Sequence, residues 1–134
     1  ALAALQRYRT LNLAQRQGLL ASCHDLSDGG LGVALAESAF AGGYGMDVDL
    51  ANVDAPSNLR SDKLLFSESQ SRLLVTVHPQ HQDQFDELFQ GQSCVLIGKV
   101  VETSELKVCV GAEVLVQAPL DRLKSAWQTP LKEM

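Results

Sequence analysis

The sequence lacks an excess of positive charge. Its 16 Asp and Glu residues outnumber its 11 Lys and Arg residues, which gives a formal net charge of −5 at pH 7. A nucleic-acid-binding surface needs basic residues to displace counterions from phosphates, and an anionic membrane attracts polybasic segments. The composition therefore argues against nucleic acid and against a membrane surface as partners.

Cysteines and long apolar runs are also scarce. The three cysteines, Cys23, Cys94 and Cys109, are odd in number and form no CxxC pair. This pattern favours small, reduced core residues in a cytoplasmic protein over a disulfide framework or a zinc site. Every apolar run is shorter than the roughly 18 residues of a membrane-spanning helix, and the first residues lack the cationic segment of a signal peptide.

Size and hydrophobic content instead indicate a folded domain. The 134 residues are 46% hydrophobic and 20% charged, which suits one compact domain with a real core over residues 1–134. The first residue is Ala rather than Met. We expect this domain to be a fragment of a longer chain.

Periodicity and turn residues predict alternating helices and strands. We expect a fold of the α/β class (α+β type), a two-layer domain with a mixed sheet packed against helices. The pattern predicts a loop around Pro56. Helices are predicted over residues 1–18, 31–41, 60–66, from Pro79 onward and 119–127, and strands over 19–23 (buried), 46–50, 72–77, 94–101, 106–110 and 113–116.

An acidic turn with two glycines precedes the predicted helix over 31–41. Glycines at a helix start let a phosphate approach the backbone, but a carboxylate 4 Å away repels a phosphate by about 4 kcal/mol unless Mg²⁺ lies between them. In an extended segment Asp25 and Ser27 point to one side. We therefore expect Asp25 to ligate a metal, Ser27 to contact a nucleotide with Gly29 and Gly30, and Asp28 to cap the helix. The alternative is that these residues form only a helix cap and a tight turn.

A second polar stretch, Ser67 to Ser71, lies between Phe66 and the core strand predicted over 72–77. Such a run at the entry to a strand is typical of a ligand-facing loop, which would present Glu68, Ser69 and Gln70. The alternative is a solvated turn with a surface Glu68–Arg72 pair worth less than about 1 kcal/mol.

The two stretches together carry a family resemblance. ASCHDLSDGGLGVALAESAFAGGYGMDVDL at 21–50 and LFSESQSRLLVTV at 65–77 resemble the phosphoribosylformylglycinamidine synthase family. Within it, they are similar to the C-terminal domain type shared with aminoimidazole ribonucleotide (AIR) synthase. The resemblance implies a purine-biosynthesis ligase. Such an enzyme uses ATP and glutamine-derived ammonia to convert formylglycinamide ribonucleotide into formylglycinamidine ribonucleotide.

The resemblance also implies roles for particular residues. Asp25 matches a ligand of Mg²⁺ at an auxiliary ATP/ADP site, and Ser27 matches a nucleotide contact beside it. Glu68, Ser69 and Gln70 match a loop that contacts the ribonucleotide in the related, active half of the enzyme. No residue here matches a catalytic one, so we expect the isolated chain to be inactive.

The implied partners are the remaining domains of the synthase, a glutaminase subunit, a small accessory subunit and the ribonucleotide substrate. An apolar face normally covered by the missing domains would favour self-association of the fragment. Two alternatives stay open. One is the equivalent domain of a related ATP enzyme: AIR synthase, thiamine-phosphate kinase or selenophosphate synthetase. The other is a domain that serves only assembly.

Overall fold

The computed structural model describes residues 2–53 and 59–132. The predicted loop at Pro56 lies outside this part of the chain. Internal contacts divide the molecule into two compact units, one from residues 1–25 and 71–94 and the other from 26–70 and 95–134. The division falls within both motif segments, after Asp25 and after Gln70. The prediction of a single domain over residues 1–134 stays a prediction.

The first unit pairs two helices with a two-stranded antiparallel sheet. Its described elements are α1 (Leu2–Arg16), β1 (Leu20–Asp25), β3 (Leu73–Val77), a 3-10 turn (Pro79–His81) and α4 (Gln82–Leu88). The core is small: Ala14, Leu19, Phe85 and Phe89 are buried, with the two phenylalanine rings stacked 4.4 Å apart. Pro79 opens the turn into α4, where its fixed φ and missing N–H are tolerated, as predicted.

The second unit holds a four-stranded mixed sheet. Its order is β4-β2-β5-β6, with β2 and β5 parallel and the other pairs antiparallel. The described elements are α2 (Gly30–Gly42), β2 (Gly45–Asp49), a 3-10 turn (Leu50–Asn52), α3 (Ser61–Phe66), β4 (Gly98–Val101), β5 (Glu105–Val110), β6 (Glu113–Pro119) and α5 (Leu120–Lys132). The α/β class, the mixed sheet and the β5–β6 hairpin are confirmed.

Alternation of side chains along the strands gives this sheet a buried and a polar face. Val48 and Val108, which are paired across β2 and β5, are 3% and 1% exposed. The neighbouring row is charged, since Asp47 pairs with Lys99 on one side and with Lys107 on the other. Opposite charges on adjacent strands stabilise a sheet by about 0.2–1 kcal/mol per pair. The alternation predicted for residues 46–50 is therefore confirmed.

Two predicted strands need correction. The strand at 19–23 runs from Leu20 to Asp25, and its middle residues are exposed rather than buried, because the described part of the chain gives β1 only β3 as a neighbour. The strand predicted over 94–101 is regular only from Gly98 to Val101. Gly98 is required there because a Cβ would lie 2.3 Å from the carbonyl oxygen of Asp47 on β2.

The cysteines were also placed wrongly. Cys23 and Cys94 are exposed and Cys109 is half-buried, although all three are free thiols. Cys23 lies on a strand whose one described neighbour is β3, and Cys94 lies in the irregular segment before β4. Among the helices that the structure describes, none is both long enough and apolar enough to cross a membrane.

Candidate functional site

Asp25 is the last residue of β1 in the first unit, where it pairs with Leu73 of β3. Its side chain is 72% exposed. Nδ1 of His24 donates to the backbone carbonyl of Asp25 at 2.6 Å, which fixes the imidazole beside the strand end. An exposed carboxylate on a paired strand is held in place by its backbone and is open to an ion or ligand.

Cys23 precedes this pair and is a poor nucleophile. Partial burial, and then the negative charge of Asp25, raise the pKa of its thiol above the ordinary value of 9.0. The thiolate, not the thiol, is the reactive form. The neighbourhood of Asp25 therefore disfavours covalent chemistry at Cys23.

Ser27 to Gly30 form a tight turn in the second unit, and Ser27 is exposed. The amide of Gly30 donates to the carbonyl of Ser27 at 3.1 Å, and both glycines have positive φ, 81° at Gly29 and 62° at Gly30. The N-cap of α2 is Gly29, which has no side chain to accept a hydrogen bond from the first amides of the helix. The prediction that Asp28 caps this helix is wrong, because the left-handed turn at Gly29 takes the cap position.

The structure brings the second motif to this turn. Within the second unit, the amide of Gly29 donates to Oε1 of Glu68 at 2.9 Å. The contact joins residues 39 positions apart in sequence. A carboxylate is favoured at a helix N-terminus, where the first amides lack partners inside the helix and the dipole is positive. Neither interpretation of Glu68 from the sequence included this bond.

Gly30 is held against the backbone of the same loop. A Cβ on Gly30 would lie 2.7 Å from the carbonyl oxygen of Ser67 and 2.9 Å from that of Leu65. Two residues on, a Cβ on Gly32 would lie 2.9 Å from the ring of Phe66. The absence of side chains along this face of α2 lets the loop pack directly onto the helix. Packing therefore explains why glycine occurs at these positions without invoking a phosphate.

The rest of the Glu68 loop is exposed. Ser69 and Gln70 both lie on the surface of the second unit. In the first unit, Ser71 has a φ of 64°, unusual for a residue with a side chain, and its carbonyl accepts a hydrogen bond of 2.9 Å from Nη1 of Arg7. The backbone is thus fixed immediately after the loop, while Ser69 and Gln70 stay accessible.

A shallow, open cleft of about 490 Å³ lies elsewhere in the second unit, on the polar side of the sheet. Its lining includes Asp49 and Cys109 but no residue of the Ser27–Gly30 turn or of the Glu68–Gln70 loop, so we do not assign the predicted chemistry to it. Backbone hydrogen bonds from Ala51 and Gly111 lower the pKa of Asp49 below its ordinary value of 3.8. Asp49 is thereby explained as a turn-stabilising residue.

A complete metal site is not present in residues 2–53 and 59–132. In that part of the chain, no group of three or more His, Cys, Asp or Glu side chains is placed to hold an ion. Mg²⁺ is commonly bound by one or two protein carboxylates together with phosphate oxygens and water. The exposed carboxylate of Asp25 fits a contribution of one ligand to a shared site.

Comparison with known proteins gives the family. Residues 2–111 match the family model described as AIR synthase related protein, C-terminal domain. The chain is 42% identical over 120 residues to phosphoribosylformylglycinamidine synthase subunit PurL of Deinococcus radiodurans, which covers 87% of this chain and 15% of that protein. It is also 42% identical over 113 residues to subunit PurL of Moorella thermoacetica, covering 83% of this chain and 15% of that protein.

The fold has a counterpart among solved structures. T. maritima PurL complexed with FGAR superposes with a TM-score of 0.79 at 23% identity, covering 90% of this chain and 20% of that one. The chain thus spans about one sixth of the length of the curated relatives that it matches. The resemblance predicted from the two motifs is confirmed, and the chain belongs to the family of AIR synthase related protein C-terminal domains.

Proposed function

We propose that this chain is the C-terminal domain of an ATP-dependent phosphoribosylformylglycinamidine synthase of purine biosynthesis. The observation that carries the proposal is the 34–42% identity to synthase subunits named PurL, which extends over 83–90% of the chain. The reaction is the ATP- and ammonia-dependent conversion of an amide to an amidine, with glutamine as the source of the ammonia. Solved PurL structures of the same fold were obtained with ATP, with ADP and with FGAR.

Within that enzyme, the acidic turn serves a nucleotide site. Asp25 would hold Mg²⁺, which when bound neutralises phosphate charge, and the hydroxyl of Ser27 donates to the nucleotide. Two observations support this assignment: both side chains are exposed, and Leu26 between them is only 7% exposed. Gly29 and Gly30 belong to the same proposed site. The amide of Gly29 donates to Glu68 and the amide of Gly30 donates to the carbonyl of Ser27. We therefore propose that the two glycines hold the backbone of the site in place.

The remaining machinery lies outside this domain. The chain accounts for about 15% of the length of its relatives, so we infer that catalytic residues and further Mg²⁺ ligands are supplied by other domains. The same reasoning implies no synthase activity for the isolated chain. A solved structure with this fold is that of PurLQS from Thermotoga maritima, which supports an assembly with other subunits, and we propose a glutaminase and a small accessory subunit as those partners. We place the enzyme in the cytoplasm.

Exposed apolar residues support a role inside a larger assembly. On α1 of the first unit, Leu2 is 84% exposed and Leu5, Tyr8 and Leu13 are each more than 40% exposed. Apolar surface of this kind is normally covered by a partner. In the isolated chain it would favour self-association, and sedimentation of the chain at increasing concentration would reveal this.

The test of the proposed site uses two acidic residues three positions apart, both exposed. In the full-length synthase, we expect Asp25→Ala to weaken Mg²⁺-dependent ADP binding at least about tenfold, because a direct ligand contributes no less than a supporting residue of a metal site. Asp28→Ala is the matched control and should change binding less than about twofold. Isothermal titration with and without Mg²⁺ measures both variants.

Two results would contradict the proposal. Equal effects of the two substitutions would show that only the total negative charge of the turn matters. If neither Asp25→Ala nor Ser27→Ala changes ADP binding, the results would instead favour the alternative in which this domain serves assembly alone. Ammonia-dependent turnover by the isolated chain would disprove the inference that other domains supply the catalytic residues.

A further inference from the structure

We propose that Glu68 is a positioning residue for the turn that carries Ser27, rather than a contact for the ribonucleotide. The inference rests on the proposed function, because it assigns a role within the same nucleotide site. Its starting point is the hydrogen bond of 2.9 Å from the Gly29 amide to Oε1 of Glu68, which links the two motifs of the chain inside one compact unit.

In the described part of the second unit, two backbone hydrogen bonds also restrain the turn. The Gly30 amide bonds to the carbonyl of Ser27 at 3.1 Å, and the amide of Val33 reaches the carbonyl of Gly29 at 3.4 Å, a long bond. Positive φ at Gly29 and Gly30 gives the backbone the greatest conformational freedom at the point where Ser27 must be held. The bond to Glu68 is the contact that fixes this amide from outside the turn.

The backbone immediately before Glu68 is held in place by its own contacts. The loop before it closes α3, where the amide of Ser67 donates to the carbonyl of Lys63 at 3.0 Å. The same loop abuts Gly30 so closely that a methyl group there would lie 2.7 Å from the Ser67 carbonyl oxygen. A carboxylate that follows such a tightly packed segment can hold the turn in one position, because its own backbone has little room to move.

The charge of Glu68 suits this role better than a substrate contact. Its carboxylate bonds to an amide at the positive end of α2, where a negative group is stabilised by the helix dipole. A ribonucleotide carries a phosphate, which the same carboxylate would repel. Ser69 and Gln70, which are exposed and uncharged, are the members of the loop suited to contact a ligand.

The experiment uses the full-length synthase with Glu68→Ala, Glu68→Gln and, as control, Glu102→Ala, which removes an exposed glutamate of the second unit outside both motifs. We expect Glu68→Ala to raise the Kd for ADP about tenfold and to speed exchange of the Gly29 amide about tenfold, as the loss of a charge-assisted hydrogen bond would do. Glu68→Gln keeps an acceptor oxygen and should restore both quantities to within about threefold. The KM for the ribonucleotide should stay unchanged in Glu68→Ala.

The outcomes separate this inference from the proposed function. Unchanged ADP binding in Glu68→Ala, while Asp25→Ala still loses it, overturns the positioning role alone. A raised ribonucleotide KM with unchanged ADP binding also overturns it and makes Glu68 a substrate contact. Unchanged exchange of the peptide spanning residues 26–31 overturns it whatever the activity shows. If Asp25→Ala leaves ADP binding intact, the proposed function fails, and the positioning role fails with it.

Discussion

Replacing Gly30 by alanine tests the packing that joins the two motifs. Gly30 opens α2 with a φ of 62°, and its missing side chain leaves room for the backbone of residues 65–67. A new Cβ would lie 2.7 Å from the Ser67 carbonyl oxygen and 2.9 Å from that of Leu65. Both neighbours are backbone atoms, so neither can move away by changing a side-chain rotamer.

Two effects lower the free energy of unfolding in Gly30→Ala. A left-handed backbone costs a residue with a Cβ about 1–2 kcal/mol. Forcing an extra methyl group into a packed contact costs a further 1–3 kcal/mol or so. We therefore expect Gly30→Ala to lower the free energy of unfolding by roughly 2–5 kcal/mol, a large part of the roughly 5–15 kcal/mol of an ordinary domain.

Urea denaturation followed by tryptophan fluorescence measures this change in the second unit. The single tryptophan, Trp127, lies on α5, and its indole N–H donates to Oε1 of Glu37 at 2.7 Å. Its ring centroid is 5.8 Å from that of Phe40. Because Glu37 and Phe40 belong to α2, the fluorescence reports directly on the helix that Gly30 begins.

Gly43→Ala is the matched control. Gly43 ends the same helix with a φ of 75°, and nothing lies within 4 Å of the position where its Cβ would be. This variant should therefore show the backbone cost alone, about 1–2 kcal/mol. If Gly30→Ala destabilises the protein no more than Gly43→Ala does, the loop at 65–67 does not pack on α2, and the structural explanation of the glycine pair is wrong.

Two further predictions concern other contacts of the second unit. Trp127→Phe removes the indole donor to Glu37 and should lower the unfolding free energy by about 0.5–1.5 kcal/mol, measured by circular dichroism in urea. Asp49 has a pKa held below 3.8 by the amides of Ala51 and Gly111. Its stabilising contribution is therefore present above that pH and lost as pH falls through the folded pKa. The stability of the wild type relative to Asp49→Asn should decline from about pH 5 toward pH 2; a pH-independent difference would contradict this.

Local patterns predicted most of the regular elements. The helix over 31–41 and the first hairpin strand appear within one residue of the expected bounds, and the second hairpin strand begins as expected but runs three residues further, to Pro119. Both depend on residues close in sequence: an apolar stripe ended by glycine, and alternation around a two-residue turn. The pairing of β2 with β5, which are separated by more than fifty residues, had no such signal.

Burial was predicted less well, because it depends on what covers an element. Leu19 to Cys23 reads as an apolar run, yet Cys23 lies on an exposed stretch of a strand with one described neighbour. The chain is a small part of its relatives. Surface that is exposed in this chain is therefore not necessarily exposed in the full enzyme. For the same reason, an apolar run in the sequence does not identify which residues form the core of the domain.

The glycine pair shows that a sequence motif does not by itself establish the chemistry of a site. Gly29 and Gly30 at a helix start are typical of a phosphate site. Here, however, both residues have positive φ, a Cβ on Gly29 would clash with the side chain of Val33, and Gly30 makes room for a loop, so both positions require glycine without any ligand. The pair therefore carries little evidence for a nucleotide, and the weight of the proposal rests on Asp25 and Ser27. The side chain of Asp25 is mostly exposed, as the proposed metal-binding role requires.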